Sequence, residues 1–169
     1  LVFGRVDLNT LVEDVLTLYG WDPVEGSAHE SGPVRFEAVL ESGLPDIQGD
    51  TTQLRQVVHN LLANARDALV EFKGDGVITV STETVAASVG TQAGQPAVRL
   101  TVTDNGPGFS AQLLQRAFEP YVTTKAQGTG LGLAIVRKII EEHGGYIDIS
   151  NRRTGGARIT ILLVPDPGT

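Results

Sequence analysis

The sequence predicts an α/β (α+β) sandwich of two layers, with about three helices packed on one side of a mixed, mostly antiparallel sheet. Three observations carry that expectation. Several stretches place apolar residues at helical spacing, others alternate apolar and polar residues as strands do, and 169 residues suffice for one core of this kind. Without an internal repeat, residues 1–169 read as a single domain.

Val6–Tyr19 aligns Leu8, Leu11, Val12, Val15, Leu16 and Tyr19 on one helical stripe, with Asp7 or Asn9 placed to cap it. Residues 21–33 are rich in Gly, Pro, Ser and acidic side chains and read as a loop. Val34–Leu40 alternates like a half-buried strand, and Glu41–Gly49 reads as a turn-rich bridge. Asp50 or Thr51 then opens a long helix ending near Phe72. Its buried face is Leu54, Val57, Val58, Leu61, Leu62, Ala65, Ala68 and Leu69. Ile78–Val85 and Val98–Thr103 are strands joined by a surface loop, and Asp104–Phe109 turns into a short helix around Ser110–Ala117. A Gly- and Thr-rich segment over Pro120–Thr129 precedes a helix at Leu131–His143, which Gly144-Gly145 stops. The strands Tyr146–Ser150 and Ala157–Val164 close the pattern, with Gly155-Gly156 turning one into the other.

Composition removes whole classes of function. There is no cysteine and only three histidines, so thiol chemistry, iron–sulfur clusters and cysteine zinc sites are excluded, and a metal should be oxygen-bound. A net charge of −7 argues against nucleic acid as a partner, because non-specific binding depends on a basic surface. No apolar run approaches the roughly 20 residues of a membrane span, and Leu1-Val2-Phe3-Gly4-Arg5 is no signal peptide. The absence of methionine suggests a piece of a longer protein. Twenty glycines exceed the roughly 7% of average usage, and nine of them fall between Gly106 and Gly156, where chemistry should be sought.

On the long helix, Asn60, Asn64 and Asp67 project within about 60° of one another along one border of the apolar face. Neutral amide oxygens in a row suit Mg²⁺ when a ligand's phosphates bring the compensating charge; solvation or local capping is the other reading. Asp104 ends a strand, where its carboxylate could accept from an amino group such as adenine N6, while Gly106 and Gly108 let the backbone lie against a flat ring. Guanine would present a carbonyl oxygen there and be repelled. An ordinary Asp-Asn-Gly turn is the alternative. Gly128-Thr129-Gly130-Leu131-Gly132-Leu133 runs into a helix, which lets amides point at an anion, although Gly132 could simply allow close packing near Ile135, Val136 and Ile139. No Walker lysine, dinucleotide fingerprint or protein-kinase catalytic loop is present. Lys125 is the cation best placed for a terminal phosphate. Arg66, Arg137 and Lys138 read as surface charges, and His143 as a packing or capping residue.

Together the motifs resemble those of sensor histidine kinases. Asn60-Leu61-Leu62-Ala63-Asn64-Ala65 resembles the asparagine box and Asp104-Asn105-Gly106-Pro107-Gly108 the first glycine box. Phe118-Glu119-Pro120-Tyr121 resembles the phenylalanine box and Gly128–Leu133 the second glycine box. The chain is similar to the catalytic ATP-binding domain, with the Bergerat fold shared by gyrase and MutL. Residues 118–136 are most similar to nitrogen-regulation kinases of the NtrY type. The resemblance implies Mg²⁺ on Asn64 with Asn60 beside it, adenine on Asp104 with Gly108 against the ring, and phosphates on Lys125 and the amides of Gly128–Leu133. It further implies a mobile lid over roughly Pro120–Gly130, with Phe118 and Tyr121 anchoring it or meeting the phosphoacceptor helices. The ATP-binding set is then Asn60, Asn64, Asp67, Asp104, Gly106, Gly108, Phe118, Tyr121, Thr124, Lys125, Gly128, Thr129, Gly130, Leu131, Gly132 and Leu133, with Asn60 and Lys125 also carrying the catalytic role.

The same resemblance implies transfer of the γ-phosphoryl group to a histidine on a dimerisation domain that this chain lacks, then relay to a response-regulator aspartate. The domain itself should be monomeric and cytoplasmic, the intact kinase a dimer, and the parent a candidate for inner-membrane anchoring. Asn60 stands where the gyrase branch has a water-activating glutamate, so hydrolysis should be slow. His29-Glu30-Ser31-Gly32-Pro33 imitates a phosphoacceptor sequence but sits in a Gly- and Pro-bounded loop, so the chain alone should not phosphorylate itself.

Overall fold

The computed structural model describes residues 2–24, 34–70, 72, 74–86, 94–116 and 132–167, and every structural statement below concerns these. Their elements run β1 (Gly4–Val6), α1 (Leu8–Leu18), β2 (Val34–Leu40), β3 (Ile47–Gly49), α2 (Thr51–Ala68), β4 (Gly76–Ala86) and β5 (Pro96–Asp104). They continue with α3 (Ala111–Arg116), α4 (Gly132–Glu142), β6 (Tyr146–Asn151) and β7 (Ala157–Leu163).

The main sheet has the order β2-β4-β5-β7-β6 and is antiparallel except at β2–β4, where two strands run parallel. Burial alternates along β4, β5 and β7, so one face is covered. Register aligns the buried pairs Val80 with Val102, Leu100 with Ile161, and Ile161 with Ile147. Against that face pack Leu11, Val12, Val15 and Leu16 of α1, Leu54, Val57, Val58, Leu61 and Leu62 of α2, and Val136, Ile139 and Ile140 of α4. Leu61 and Leu62 are fully enclosed, where truncation to alanine costs about 3–5 kcal/mol. The two-layer sandwich expected from the sequence is therefore present. α3 buries no residue, so three of the four helices build the helical layer.

Helix starts follow their caps. Asp7 Oδ accepts from Thr10 N at 3.1 Å and Asp50 Oδ1 from Gln53 N at 3.1 Å. Asn9 does not cap. Its amide donates to the Glu41 carbonyl at 2.8 Å and accepts from buried Thr82 Oγ1 at 2.7 Å, tying α1 to β2 and β4. At the end of α4 Gly144 has φ +70° and Gly145 N donates to the Ile140 carbonyl, the αL termination that the Gly-Gly pair predicts.

Three expectations need correction. Glu41–Gly49 is not only a bridge: Ile47–Gly49 pairs antiparallel with Gly4–Val6 in a two-stranded ribbon closed by Arg5 against Asp46 and Asp166. The long helix stops at Ala68 rather than near Phe72, and Ala68 is exposed because Leu69 alone turns inward at its end. Arg66 is more than a surface charge, since its guanidinium lies 4.9 Å over the Tyr19 ring. Arg137 pairs with Glu141 on the surface as expected.

Candidate functional site

The site grows from the end of β5. Asp104 is 4% exposed, in register with Ile78 of β4, and its Oδ1 accepts from Gly106 N at 2.9 Å and Ala157 N at 3.3 Å. Oδ2 takes neither bond. Burial pushes the Asp104 carboxyl above its ordinary value, against the pull of those two N–H groups and of the Arg152 guanidinium. A buried carboxylate with one oxygen satisfied by backbone is a specific acceptor for a neutral amino donor.

The glycines let this turn meet two neighbours. A Cβ on Gly106 would lie 3.0 Å from Leu69 Cδ2 and 3.5 Å from the Ala68 carbonyl, so the turn seats on the C-terminal end of α2. Ala68 is one helical turn beyond Asn64, roughly 6 Å along the axis. Gly108, at φ +80°, brings its backbone close enough that a Cβ would stand 2.8 Å from Asn151 Oδ1. Asn105 fixes the other flank by accepting from Val77 N and donating to the Asp75 carbonyl, both at 2.8 Å.

On α2, Asn60 and Asn64 are half-buried and Asp67 is exposed, all on the border that helical geometry predicts. Gly132 opens α4 directly over Asn64: a Cβ there would be 3.5 Å from Nδ2 and 3.6 Å from Oδ1. A Cβ at that spacing would make ordinary contact, so the start of α4 lies beside the Asn64 amide without demanding glycine there. Leu133 follows, half-buried, on the same first turn. The structure therefore brings Asn64 and Gly132 together, and sets Asp104, Gly106 and Gly108 beyond the end of the same helix. Phe118, Tyr121, Thr124, Lys125, Gly128, Thr129, Gly130 and Leu131 lie outside the described residues, as does His29.

Sequence reasoning missed the far wall. Gly155-Gly156 does more than turn a strand, because a Cβ on Gly156 would fall onto the Asp104 carbonyl. Asn151 and Arg152, to which the sequence assigned no role, bond to Phe109 and Asp104. The adjacent Gly155-Gly156 pair was the available signal, and both residues have positive φ. His143 is the capping residue expected: Nδ1 donates to the Ile139 carbonyl at 2.7 Å, and Nε2 accepts from Asp50 N at 3.0 Å.

No three His, Cys, Asp or Glu side chains among the described residues converge as a metal site. The donor set near Asn64 is instead neutral amide oxygen, which fits a divalent ion that shares its shell with phosphate oxygens. The buried acceptor Asp104 and the start of α4 beside Asn64 fit an adenine nucleotide equally well.

Comparison with known proteins identifies the family. Residues 49–167 match the family model for histidine kinase-, DNA gyrase B- and HSP90-like ATPases. The chain is 40% identical over 163 residues to the sensor histidine kinase ZraS of Escherichia coli O157:H7, covering 96% of this chain and 32% of that protein. It is 46% identical over 116 residues to an NtrY-like putative sensor histidine kinase of Rickettsia bellii, covering 69% of this chain and 17% of that one. Among solved structures it resembles the nucleotide-free catalytic domain of histidine kinase ThkA, with TM-score 0.75, 30% identity and coverage of 99% and 100%. Full-length ShkA in complex with AMPPNP matches with TM-score 0.73 at 30% identity, over 96% of this chain and 31% of that one. The chain belongs to the histidine kinase-like ATPase family, as an ATP-binding catalytic domain of the sensor histidine kinase type. It spans about a third of the length of the ZraS relatives, 32% in the first case. Among the described residues, no helix is long and apolar enough to cross a membrane.

Proposed function

We propose that this chain binds Mg-ATP and presents the γ-phosphoryl group to a histidine on a separate dimerisation domain of its two-component sensor kinase, for relay to a response-regulator aspartate. The observation that carries this reading is the buried Asp104 carboxylate, seated at the end of the helix whose Asn64 faces Gly132. Asp104 Oδ2 would accept from the adenine amino group, with Gly106 and Gly108 giving the ring access. Asn64, with Asn60 and Asp67 on the same border, would hold metal, water or phosphate, and the N-terminal turn of α4 at Gly132 and Leu133 would face the phosphates. Bound Mg²⁺ supplies neutralisation of phosphate charge. The family resemblance would give phosphate contacts to Lys125, Thr124 and Gly128–Leu131, and to Phe118 and Tyr121 either lid anchoring or contact with the phosphoacceptor helices. An amide at Asn60 cannot take a proton from water, so the residues favour holding the phosphoryl group for transfer, where positioning does most of the work. ATP use and relay place the domain on the cytoplasmic side of any anchored parent.

Calorimetric titration with Mg-ATP tests the site: Asn64→Ala should weaken binding about tenfold to a hundredfold. Unchanged affinity removes the assignment of Asn64. Adding a separately made dimerisation domain with γ-labelled ATP tests the reaction, and the product should be an acid-labile phosphohistidine. Binding without transfer would leave a nucleotide-sensing module, and an acid-stable product would indicate a serine kinase of the anti-sigma type.

A further inference from the structure

We propose that Asn151 and Arg152, at the tip of the β6–β7 hairpin, are positioning residues that hold the Asp104–Phe109 turn in its adenine-accepting geometry and set the site's preference for adenine. The proposal rests on the reading of Asp104 as the adenine acceptor. The two side chains grip the turn at its two ends. Asn151 Oδ1 accepts from Phe109 N at 2.7 Å while Nδ2 donates to the Phe109 carbonyl at 2.8 Å, and Arg152 Nη1 donates to the Asp104 carbonyl at 2.9 Å. The tip that presents them is itself closed by Arg152 N donating to the Gly156 carbonyl at 2.8 Å.

The grip matters because the sheet does not reach this far. Pairing of β5 with β7 ends at Thr103 opposite Arg158, and pairing with β4 ends at Asp104 opposite Ile78. Beyond those points Asn105 ties only the near flank of the turn, to Val77 and Asp75. Gly108 and Gly156 are the two glycines whose Cβ atoms would strike Asn151 Oδ1 and the Asp104 carbonyl. Both close approaches belong to the clasp, which explains why neither position carries a side chain.

Arg152 also bears electrostatically on Asp104. Among the described residues, uncharged Ile78 of β4 and Ala157 of β7 stand beside Asp104, Ala68 and Leu69 at the end of α2 stand against the adjoining Gly106, and the charged group that bears on the carboxyl is the Arg152 guanidinium. A positive charge favours the ionised acid against the cost of burial. Only the ionised acid offers Oδ2 purely as an acceptor, since a proton there would meet an adenine N–H donor with another donor. Arg152 thereby adds to the Gly106 and Ala157 N–H groups in keeping the acid ionised, and removing its charge should raise the pH at which adenine recognition fails.

The test is calorimetric titration of this chain with Mg-ADP and Mg-IDP, the latter carrying a carbonyl in place of the adenine amino group, from about pH 5 to about pH 8. Variant-to-wild-type ratios at each pH cancel the titration of the nucleotides themselves. Arg152→Gln should bind ADP about threefold to tenfold more weakly at the acid end and approach wild type at the alkaline end, and Arg152→Lys should restore most of that loss. Asn151→Ala should narrow the ADP-over-IDP preference at every pH, with Asn151→Asp, which keeps the acceptor, intermediate. If Arg152→Gln follows wild type at every pH while Asp104→Asn loses ADP, the clasp is overturned and the adenine reading stands. A pH-independent loss that lysine does not rescue would equally overturn it, as a loss of hairpin structure. Should Asp104→Asn keep full ADP affinity, the adenine reading itself falls.

Discussion

Asp50 caps the start of α2 at the surface, accepting from Val2 N at 2.8 Å and Gln53 N at 3.1 Å, whereas Asp104 lies buried beyond that helix's other end. Backbone N–H bonds hold the Asp50 carboxyl below its ordinary value of 3.8, and burial pushes Asp104 above the same value. The consequences for stability have opposite sign. Ionised Asp50 favours the folded state above the ordinary carboxylate pKa, and that contribution is lost as pH falls through its lowered value. The folded state holds the Asp104 proton more tightly than the unfolded chain does, so stability declines as pH rises from the ordinary value through the raised one. One aspartate builds the fold, and the other draws on the stability that the fold supplies. An acid that is costly to bury and leaves one oxygen clear of its backbone bonds is what the proposed adenine contact calls for.

The largest expected effect comes from breaking the wall around Asp104. Gly156→Ala combines a φ of +100° with a Cβ driven into the Asp104 carbonyl, and urea unfolding should register a loss of about 2–4 kcal/mol. Next is Asp104→Asn, in which Oδ1 still accepts from Gly106 and Ala157 while an NH₂ replaces the free oxygen. Mg-ATP binding should weaken by about 1.5–3 kcal/mol in calorimetry, yet the thermal midpoint at neutral pH should hold or rise because a desolvated charge is gone. A fall in both would mean that Asp104 is structural after all. That thermal advantage over wild type should shrink as pH drops toward 3.8. Asp50→Ala should give the smallest change, a lower thermal midpoint at neutral pH whose gap from wild type closes below 3.8. Gaps that close on the same side of that value would erase the contrast between the two acids.

The helical stripes were legible because Leu8–Leu16 and Leu54–Leu62 repeat at helical spacing over several turns, and the β4, β5 and β7 runs alternate long enough to declare a face. The β1–β3 ribbon was not, since three residues cannot display a period and Gly4–Val6 pairs with a segment some forty residues away. Parallel pairing of β2 with β4 is a property of topology that neither strand carries in its own residues. Within the site, Asn64, Asp104 and the glycines could be read because their chemistry is unusual at those positions. Asn151 and Arg152 look like any polar hairpin tip until the Phe109 backbone and the Asp104 carbonyl are placed beside them. Asn9 likewise gave up a local cap for contacts with Glu41 and Thr82, thirty-two and seventy-three residues away.

The position of β7 has a consequence for how the chain is made. β7 is the last strand in chain order, yet it lies inside the sheet between β5 and β6. On a ribosome, β5 therefore emerges with an open edge, β6 appears without its neighbour, and Asp104 lacks its bond from Ala157. The ribbon waits as well, because Gln48 N donates to the Val164 carbonyl and Ile47 pairs with Pro165. The wall around Asp104 is thus complete only once β7 has emerged, and a nascent chain still short of β7 lacks it.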